Sequence, residues 1–215
     1  MNGVKAGIIG IGNMGSAHLR MITGGDIPDM TVTAVCDIDT KKLNAARNTY
    51  PALRVFEDYT DLLKNSDTNA VIIAVPHPLH AKIAIEAFKY GKHVLVEKPL
   101  DITVSAAEDL CAAAEKSGKV FAIMFNQRTN GLFRKAREIV KSGELGEIKR
   151  SVWIITNWYR TQSYYDSGSW RATWAGEGGG VLLNQAPHNL DIWQWICGKP
   201  SAVTAFCSVG KFHNI

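Results

Sequence analysis

The stretch VKAGIIGIGNMGSAHLRMITGGDIPDMTVTAVCD, residues 4–37, decides the fold. Its first six residues, Val4–Ile9, form a short apolar run of strand type. Gly10-Ile-Gly12-Asn13-Met14-Gly15 follows at once and opens a helical pattern. A second strand-type run, Thr31–Cys36, ends against Asp37, 22 residues after Gly15. Strand, glycine loop, helix, strand and acidic residue in this order form a dinucleotide-binding fingerprint. The glycines permit a tight turn and a close approach of backbone to a pyrophosphate. The helix N-terminus offers unpaired N–H groups and the positive end of its dipole to that anion. Asp37 is placed to hold a ribose 2′-hydroxyl. The competing reading is a glycine-rich turn with Asp37 capping the next helix; the complete context favours the nucleotide. A carboxylate there repels a 2′-phosphate, so NAD is the expected cofactor, with NADP as the alternative if Lys41 or Lys42 reaches the phosphate.

Outward from this unit the pattern repeats. Strand-type runs fall at Leu53–Phe56, Ala70–Val75, His93–Val96 and Val120–Phe125. Helical patterns lie near Gly15–Ile22, Thr40–Asn48, Tyr59–Lys64, Leu79–Tyr90 and Val104–Lys116. Nearly all-apolar strands separated by helices imply a parallel sheet covered on both faces. Right-handed crossovers then predict a doubly wound α/β Rossmann domain over 1–125. From Asn126 the texture changes: all six tryptophans lie between 153 and 195. A helix is predicted over Leu132–Lys141, a strand over Ile148–Asn157, and a polar aromatic loop over Trp158–Gly180. A helix over Gln185–Ile196 and a strand over Ala202–Val209 complete the reading. Two strands seldom make a stable sheet alone, so residues 126–215 read as a partial α+β domain.

Composition limits the rest. Of 215 residues 46% are hydrophobic and 20% charged, the profile of a globular chain and not of a disordered one. The net charge of +4 is small and unclustered, which argues against nucleic acid. The longest apolar run, Ala70–Pro76, is too short to span a bilayer. Four dispersed cysteines, Cys36, Cys111, Cys197 and Cys207, form no metal motif, and three of them sit in apolar runs, which fits buried thiols in a reducing, cytoplasmic compartment.

Open α/β sheets bind ligands at the carboxyl ends of their strands. The fourth strand ends in Val75-Pro76-His77-Pro78-Leu79-His80, and the fifth in Val96-Glu97-Lys98-Pro99. Pro99 holds Lys98 out of the helical region, and a cis bond is an open alternative. Lys98 could stabilise an alkoxide, with its pKa lowered by burial near other cations; a surface Glu–Lys pair is the plainer reading. In the second part, Gly178-Gly179-Gly180 precedes Asn184, His188 and Asp191. A helix starting near Asn184 would place Asn184 and His188 on one face, with Asp191 a turn beyond to orient the imidazole. The helix N-terminus would keep His188 neutral, as a base requires. His188 is equally readable as structural from its position alone. The aromatic loop, including Tyr159, Trp170 and Arg171, suits a polyhydroxylated ligand, since flat rings pack on sugar faces. His18 reads as structural.

These motifs together resemble the Gfo/Idh/MocA family of oxidoreductases. The resemblance rests on Gly10-x-Gly12-x-x-Gly15, Asp37, Pro76…His80, Glu97-Lys98-Pro99, Arg128, Gly143-x-x-Gly146, Trp170-Arg171 and Gly178-Gly179-Gly180…His188-x-x-Asp191. It implies an NAD(P)-dependent dehydrogenase acting on a secondary alcohol of a sugar, sugar derivative or cyclitol. Lys98 and His188 would be its catalytic pair. The cofactor would be held by Gly10, Gly12, Asn13, Met14, Gly15, Asp37, Pro76, His80, Glu97, Arg128, Trp170 and Arg171. Tyr159, Asn184, Lys98 and His188 would meet the substrate, and no metal is implied. The family usually carries Asp where Asn184 stands. An amide can hydrogen-bond a hydroxyl but cannot take its proton, which leaves the acid–base work to His188. Relatives continue with further strands, which would shape the substrate pocket and a homo-oligomer interface, so this chain is expected to bind cofactor better than it turns over substrate. The rival readings are a non-catalytic cofactor sensor and a reductase of a non-sugar carbonyl.

Overall fold

Six apolar runs of the first 124 residues pair into one parallel sheet. The computed structural model describes residues 3–156, 159–208 and 213. It divides the chain into two units, Met1–Met124 and Phe125–Ile215.

In the first unit the strands are β1 (Val4–Ile9), β2 (Met30–Cys36), β3 (Arg54–Phe56), β4 (Ala70–Ile73), β5 (His93–Val96) and β6 (Phe121–Ile123). Their order is β3-β2-β1-β4-β5-β6 and every pairing is parallel. The chain therefore winds outward in both directions from β1, and the switch point lies between β1 and β4, where ligands bind in such sheets. Helices α1 (Asn13–Thr23), α2 (Thr40–Thr49), α3 (Tyr59–Asn65), α4 (His80–Lys89) and α5 (Val104–Ser117) make the crossovers.

Side chains alternate across a strand, so neighbouring apolar residues must find cover on opposite faces. Ile8, Val35 and Ile72 pack with Leu19 and Ile22 of α1 and Leu43 and Ala46 of α2. Ile9, Ala34, Cys36, Val71 and Ile73 pack with Leu62 and Leu63 of α3, Ala84 and Phe88 of α4 and Leu110 of α5. This double burial explains why the strands read as continuous apolar runs. The fourth strand is shorter than its apolar run suggests, ending at Ile73, because Pro76 has no N–H to donate and the Val75 carbonyl turns to His80.

The second unit contains α6 (Gly131–Ser142), α7 (Gln162–Asp166), α8 (Trp174–Glu177), α9 (Val181–Asn184) and α10 (Pro187–Cys197). Helices α6 and α10 pack together. Arg137 donates from Nε to the Trp195 carbonyl at 3.2 Å, its guanidinium 4.7 Å from the centre of that indole. Two expectations change here. The described residues of the predicted strands, 148–156 and 202–208, form no strand, and none of the described residues after Ile123 does. An apolar run becomes a strand only when another backbone edge pairs with it, and none of the described residues supplies one. Asn157 and Val209, the last residues of those predicted strands, lie outside the described residues, as does Trp158. The predicted helix over 185–196 is present as α10, but it starts at Pro187, and Asn184 ends the separate α9, because Pro187 lacks the N–H needed to continue an incoming helix.

Candidate active site

The glycine loop of the first unit is built for a close approach. Gly10 has φ +86°, and a Cβ on it would lie 2.7 Å from the Ala74 carbonyl oxygen. A Cβ on Gly15 would lie 1.8 Å from the Gly10 carbonyl oxygen. A Cβ on Gly12 would meet nothing within 4 Å, so its absence leaves open space in front of α1. Side chains cap α2 (Asp39), α3 (Asp58) and α5 (Thr103), whereas no side chain caps α1. The first-turn amides of α1, at Asn13 and Met14, therefore lack a side-chain cap beside an open cradle, the arrangement an anion uses. Asp37 stands beside the loop, where its Oδ2 accepts the Ile11 N–H at 2.9 Å and its Oδ1 the Asp39 N–H at 2.9 Å. A glycine cradle, an uncapped helix and a carboxylate at the second strand's end together fit the pyrophosphate and ribose of a dinucleotide.

The ends of β4 and β5 carry the remaining first-unit candidates. His80 is fully buried, with Nδ1 2.6 Å from the Pro99 carbonyl and Nε2 2.9 Å from the Val75 carbonyl. It pins the two strand ends together as a fixed strut, while Pro76 is exposed. Glu97 is buried and accepts at Oε1 from Nε2 of His18 at 2.8 Å. Its Oε2 accepts the Lys98 N–H at 3.3 Å. Lys98 is half-buried and precedes a cis peptide bond to Pro99. His18 thus does more than fill space: from α1 it clamps the strand end that carries Lys98. Its sequence signal is its place on the first helix, one turn after Gly15. Cys36 is buried before Asp37, and its thiol is pushed up to about 12, first by burial and then by the Asp37 charge, so it offers no thiolate.

Burial holds the pKa of His80 below its ordinary 6.5, outweighing the carbonyls that favour its charged form. A histidine with a depressed folded pKa binds its proton more readily when unfolded. Its contribution is present above pH 6.5 and is lost as pH falls below that value. His80→Gln is expected to flatten the pH dependence of unfolding free energy just below pH 6.5, read by urea titration at several pH values. An unchanged slope would contradict this origin.

The second unit holds a polar knot. Glu177, only 2% exposed, accepts from Nδ2 of Asn184 and, at 3.0 Å, from the Ala172 N–H. Nη1 of Arg171 lies 3.7 Å from its Oε1 and donates to the Tyr164 hydroxyl at 2.7 Å. The Asn184 amide also donates to that hydroxyl, at 3.3 Å. The Arg171 guanidinium lies 4.1 Å from the Tyr164 ring centre and 4.7 Å from that of Trp170. The structure thus brings Trp170, Arg171 and Asn184 together through Tyr164, which belongs to the predicted aromatic loop, and Glu177, which the sequence alone did not single out. Glu177→Ala removes the anion from a mostly buried arginine and is expected to cost about 3–5 kcal/mol of stability, measured by denaturant unfolding. A cost within about 0.5 kcal/mol, typical of surface substitutions, would contradict this role.

His188 is the second residue of α10, near its positive end, with its ring 6.0 Å from that of Phe125. Because Asn184 ends α9 and His188 lies in α10, the two do not share one continuous helical face. Both oxygens of Asp191 accept from the Arg128 guanidinium, and its Oδ2 does so at 2.8 Å. A planar guanidinium matches a carboxylate with two parallel bonds, which one imidazole cannot do. Arg128, expected on the cofactor, is in this structure a partner of Asp191 and lies against the Phe125 and Trp195 rings. Tyr159 is 72% exposed, its ring 5.3 Å from that of His213. Among the described residues no group of three or more His, Cys, Asp and Glu could hold a metal, and no helix is long and apolar enough to cross a membrane.

Comparison with known proteins agrees with this architecture. Residues 4–125 match the family GFO_IDH_MocA, described as "Oxidoreductase family, NAD-binding Rossmann fold". Residues 133–213 match the GFO/IDH/MocA C-terminal domain. The inositol 2-dehydrogenase of Salmonella typhimurium (strain LT2) is 36% identical over 146 residues, which cover 67% of this chain and 43% of that protein. The structure of the WlbA dehydrogenase from Bordetella pertussis with NADH and UDP-GlcNAcA superposes with a TM-score of 0.81 at 28% identity, covering 91% of this chain and 59% of that one. The scyllo-inositol dehydrogenase of Lactobacillus casei, with NAD(H) and scyllo-inositol bound, gives 0.76 at 26% identity, covering 91% and 56%. The chain spans about half the length of the curated relatives it matches.

Proposed function

The chain belongs to the Gfo/Idh/MocA oxidoreductase family, with an NAD-binding Rossmann domain over residues 4–125, and on that premise we propose that it serves an NAD-dependent dehydrogenase. The substrate class is a secondary alcohol of a sugar, sugar derivative or cyclitol, and the product the ketone, or the reverse. The observation that carries the reading is Lys98 at the end of β5, held by buried Glu97 in the sheet whose first loop is the glycine cradle. The ligands of the WlbA and scyllo-inositol relatives, a nucleotide sugar and a cyclitol, support the substrate class.

Gly10, Gly12, Asn13, Met14 and Gly15 would hold the pyrophosphate, and Asp37 the adenosine ribose. Pro76, His80 and Glu97 would frame the crevice between β4 and β5. Arg128, Trp170 and Arg171 complete the proposed cofactor set. When bound, NAD supplies the hydride acceptor. The Lys98 ammonium donates a hydrogen bond to the substrate oxygen and stabilises the negative charge that grows on it. His188 takes the hydroxyl proton. Asn184, anchored by Glu177, orients a neighbouring hydroxyl, and Tyr159 offers a ring to a sugar face. His188 and Lys98 belong to different units, and each role is proposed from that residue's own surroundings.

Residues 126–215 serve the substrate and self-association in this reading. The exposed apolar side chains Val152, Ile154, Val203 and Phe206 support assembly. The four cysteines are free thiols, which supports a cytoplasmic setting, but the expected burial holds only for Cys36: Cys197 is half-buried, and Cys111 and Cys207 are exposed. The test is a panel of inositols, hexoses and nucleotide-linked sugars assayed for NADH formation. Formation with a polyol is the expected result. Cofactor binding without turnover across the panel would overturn the enzymatic assignment in favour of a cofactor sensor.

A further inference from the structure

The segment that carries Lys98 is tied down on both sides by histidines. We propose that His18 is a positioning residue for the proposed hydride transfer: acting through Glu97, it fixes the backbone from which the Lys98 ammonium reaches the substrate oxygen. This rests on the dehydrogenase reading of Lys98.

An ionised carboxylate only accepts hydrogen bonds, so Nε2 of His18 carries the proton that it shares with Oε1 of Glu97 at 2.8 Å. The other carboxylate oxygen, Oε2, accepts the Lys98 N–H at 3.3 Å. The two side chains are only 12% and 10% exposed, so water is a poor replacement for a lost donor. One residue beyond Lys98, the Pro99 carbonyl lies 2.6 Å from Nδ1 of His80. Oδ2 of Asp101 then accepts the Ala81 N–H at 3.3 Å. Lys98 thus stands between a tether to α1 and a tether to α4.

The α1 end of the first tether is itself fixed. Leu19 and Ile22 are buried with Ile8, Val35 and Ile72 of the sheet. The Ser16 hydroxyl donates to the Ile11 carbonyl at 2.8 Å. Ser16 and Arg20 line the cleft beside the glycine loop, and His18 does not. A helix turns about 100° per residue, so His18 stands about 160° round from each of them. The face of α1 that meets the cleft and the face that holds Glu97 are therefore different. A change at His18 reaches Lys98 and spares the cleft.

The experiment compares His18→Leu, which fills the space but donates nothing, with His18→Gln, whose side-chain amide can still donate to Glu97. Hydrogen exchange of the Lys98 amide is followed by NMR in the full chain, with the Ile8 and Ile72 amides as a reference for global opening. His18→Leu is expected to speed Lys98 exchange by about tenfold, the worth of one hydrogen bond to a carboxylate, while His18→Gln stays within about threefold of wild type. The reference amides should keep their rates. Kinetics on any polyol that forms NADH should follow the same order, with kcat lowered by about tenfold in His18→Leu, restored in His18→Gln, and the KM for NAD unchanged. Lys98 exchange that is equal in wild type and His18→Leu would overturn the proposal. So would equal effects of the two variants, or a rise shared by Ile8 and Ile72, which would make His18 purely structural. Exchange does not depend on turnover, so the expected exchange pattern without oxidation of any polyol would overturn the dehydrogenase reading while the tether stands.

Discussion

Lys98→Ala is expected to lower turnover by about 10²–10⁴-fold, the usual worth of a positioned proton-transfer or charge-stabilising group. The loss should fall on kcat, with NAD still titratable, because the glycine cradle and Asp37 do not depend on this side chain. The lysine is not an ordinary surface residue. Its backbone N–H is held by a carboxylate that is buried, and that carboxylate is held in turn by His18 on the first helix. Surface Glu–Lys pairs contribute little because both partners move, whereas here the glutamate is fixed and the lysine backbone with it. Lys98→Arg is not expected to restore the rate, since a planar fork cannot replace a compact ammonium at the same point. Steady-state kinetics on the two variants, with calorimetry of NAD, decides the matter. Turnover near the wild-type rate in Lys98→Ala would remove this residue from the chemistry.

Gly15→Ala is expected to abolish NAD binding and to lower the melting temperature of the chain. The added Cβ would stand 1.8 Å from the Gly10 carbonyl oxygen and 2.9 Å from its carbon. No rotamer relieves a collision with backbone. Gly10 cannot retreat either, since its N–H is bonded to the Cys36 carbonyl at 2.8 Å and its α-carbon sits against Ala74. The loop must move, which would break the Ile11–Asp37 bond and close the cradle together. Strain of this kind costs about 1–3 kcal/mol or more. Gly12→Ala makes the informative contrast. Its Cβ enters open space, so the fold should melt normally while the methyl group obstructs the phosphates. Weakened NAD binding in both variants, with a lowered melting temperature only in Gly15→Ala, is the expected pattern. Unchanged NAD affinity in Gly15→Ala would contradict the cradle.

The doubly wound sheet was readable because its signals are local. Val4–Ile9, the three glycines and Asp37 carry their meaning within one β-α-β unit, and strands buried on both faces are apolar along their whole length. The place of Glu97-Lys98-Pro99 directly after β5 was legible in the same way. The second unit was not, because its decisive interactions are between residues distant in sequence. Residues 148–156 have the apolar content of a strand, but a strand also needs an edge to pair with. Asp191 lies three residues after His188, yet a guanidinium 63 residues earlier in the chain takes its carboxylate. Glu177 reads as a polar residue in a glycine-rich loop, and nothing local announces that it is buried beneath Arg171 and Asn184.

The most direct test of the central claim is isotopic. The protein is incubated with NAD and with inositols and sugars deuterated at their carbinol carbons, and the nicotinamide is recovered for mass spectrometry. Direct hydride transfer predicts deuterium on the reduced nicotinamide ring with at least one polyol, and loss of that label in Lys98→Ala. Bound NAD that acquires no deuterium from any member of the panel would contradict a dehydrogenase acting on secondary alcohols.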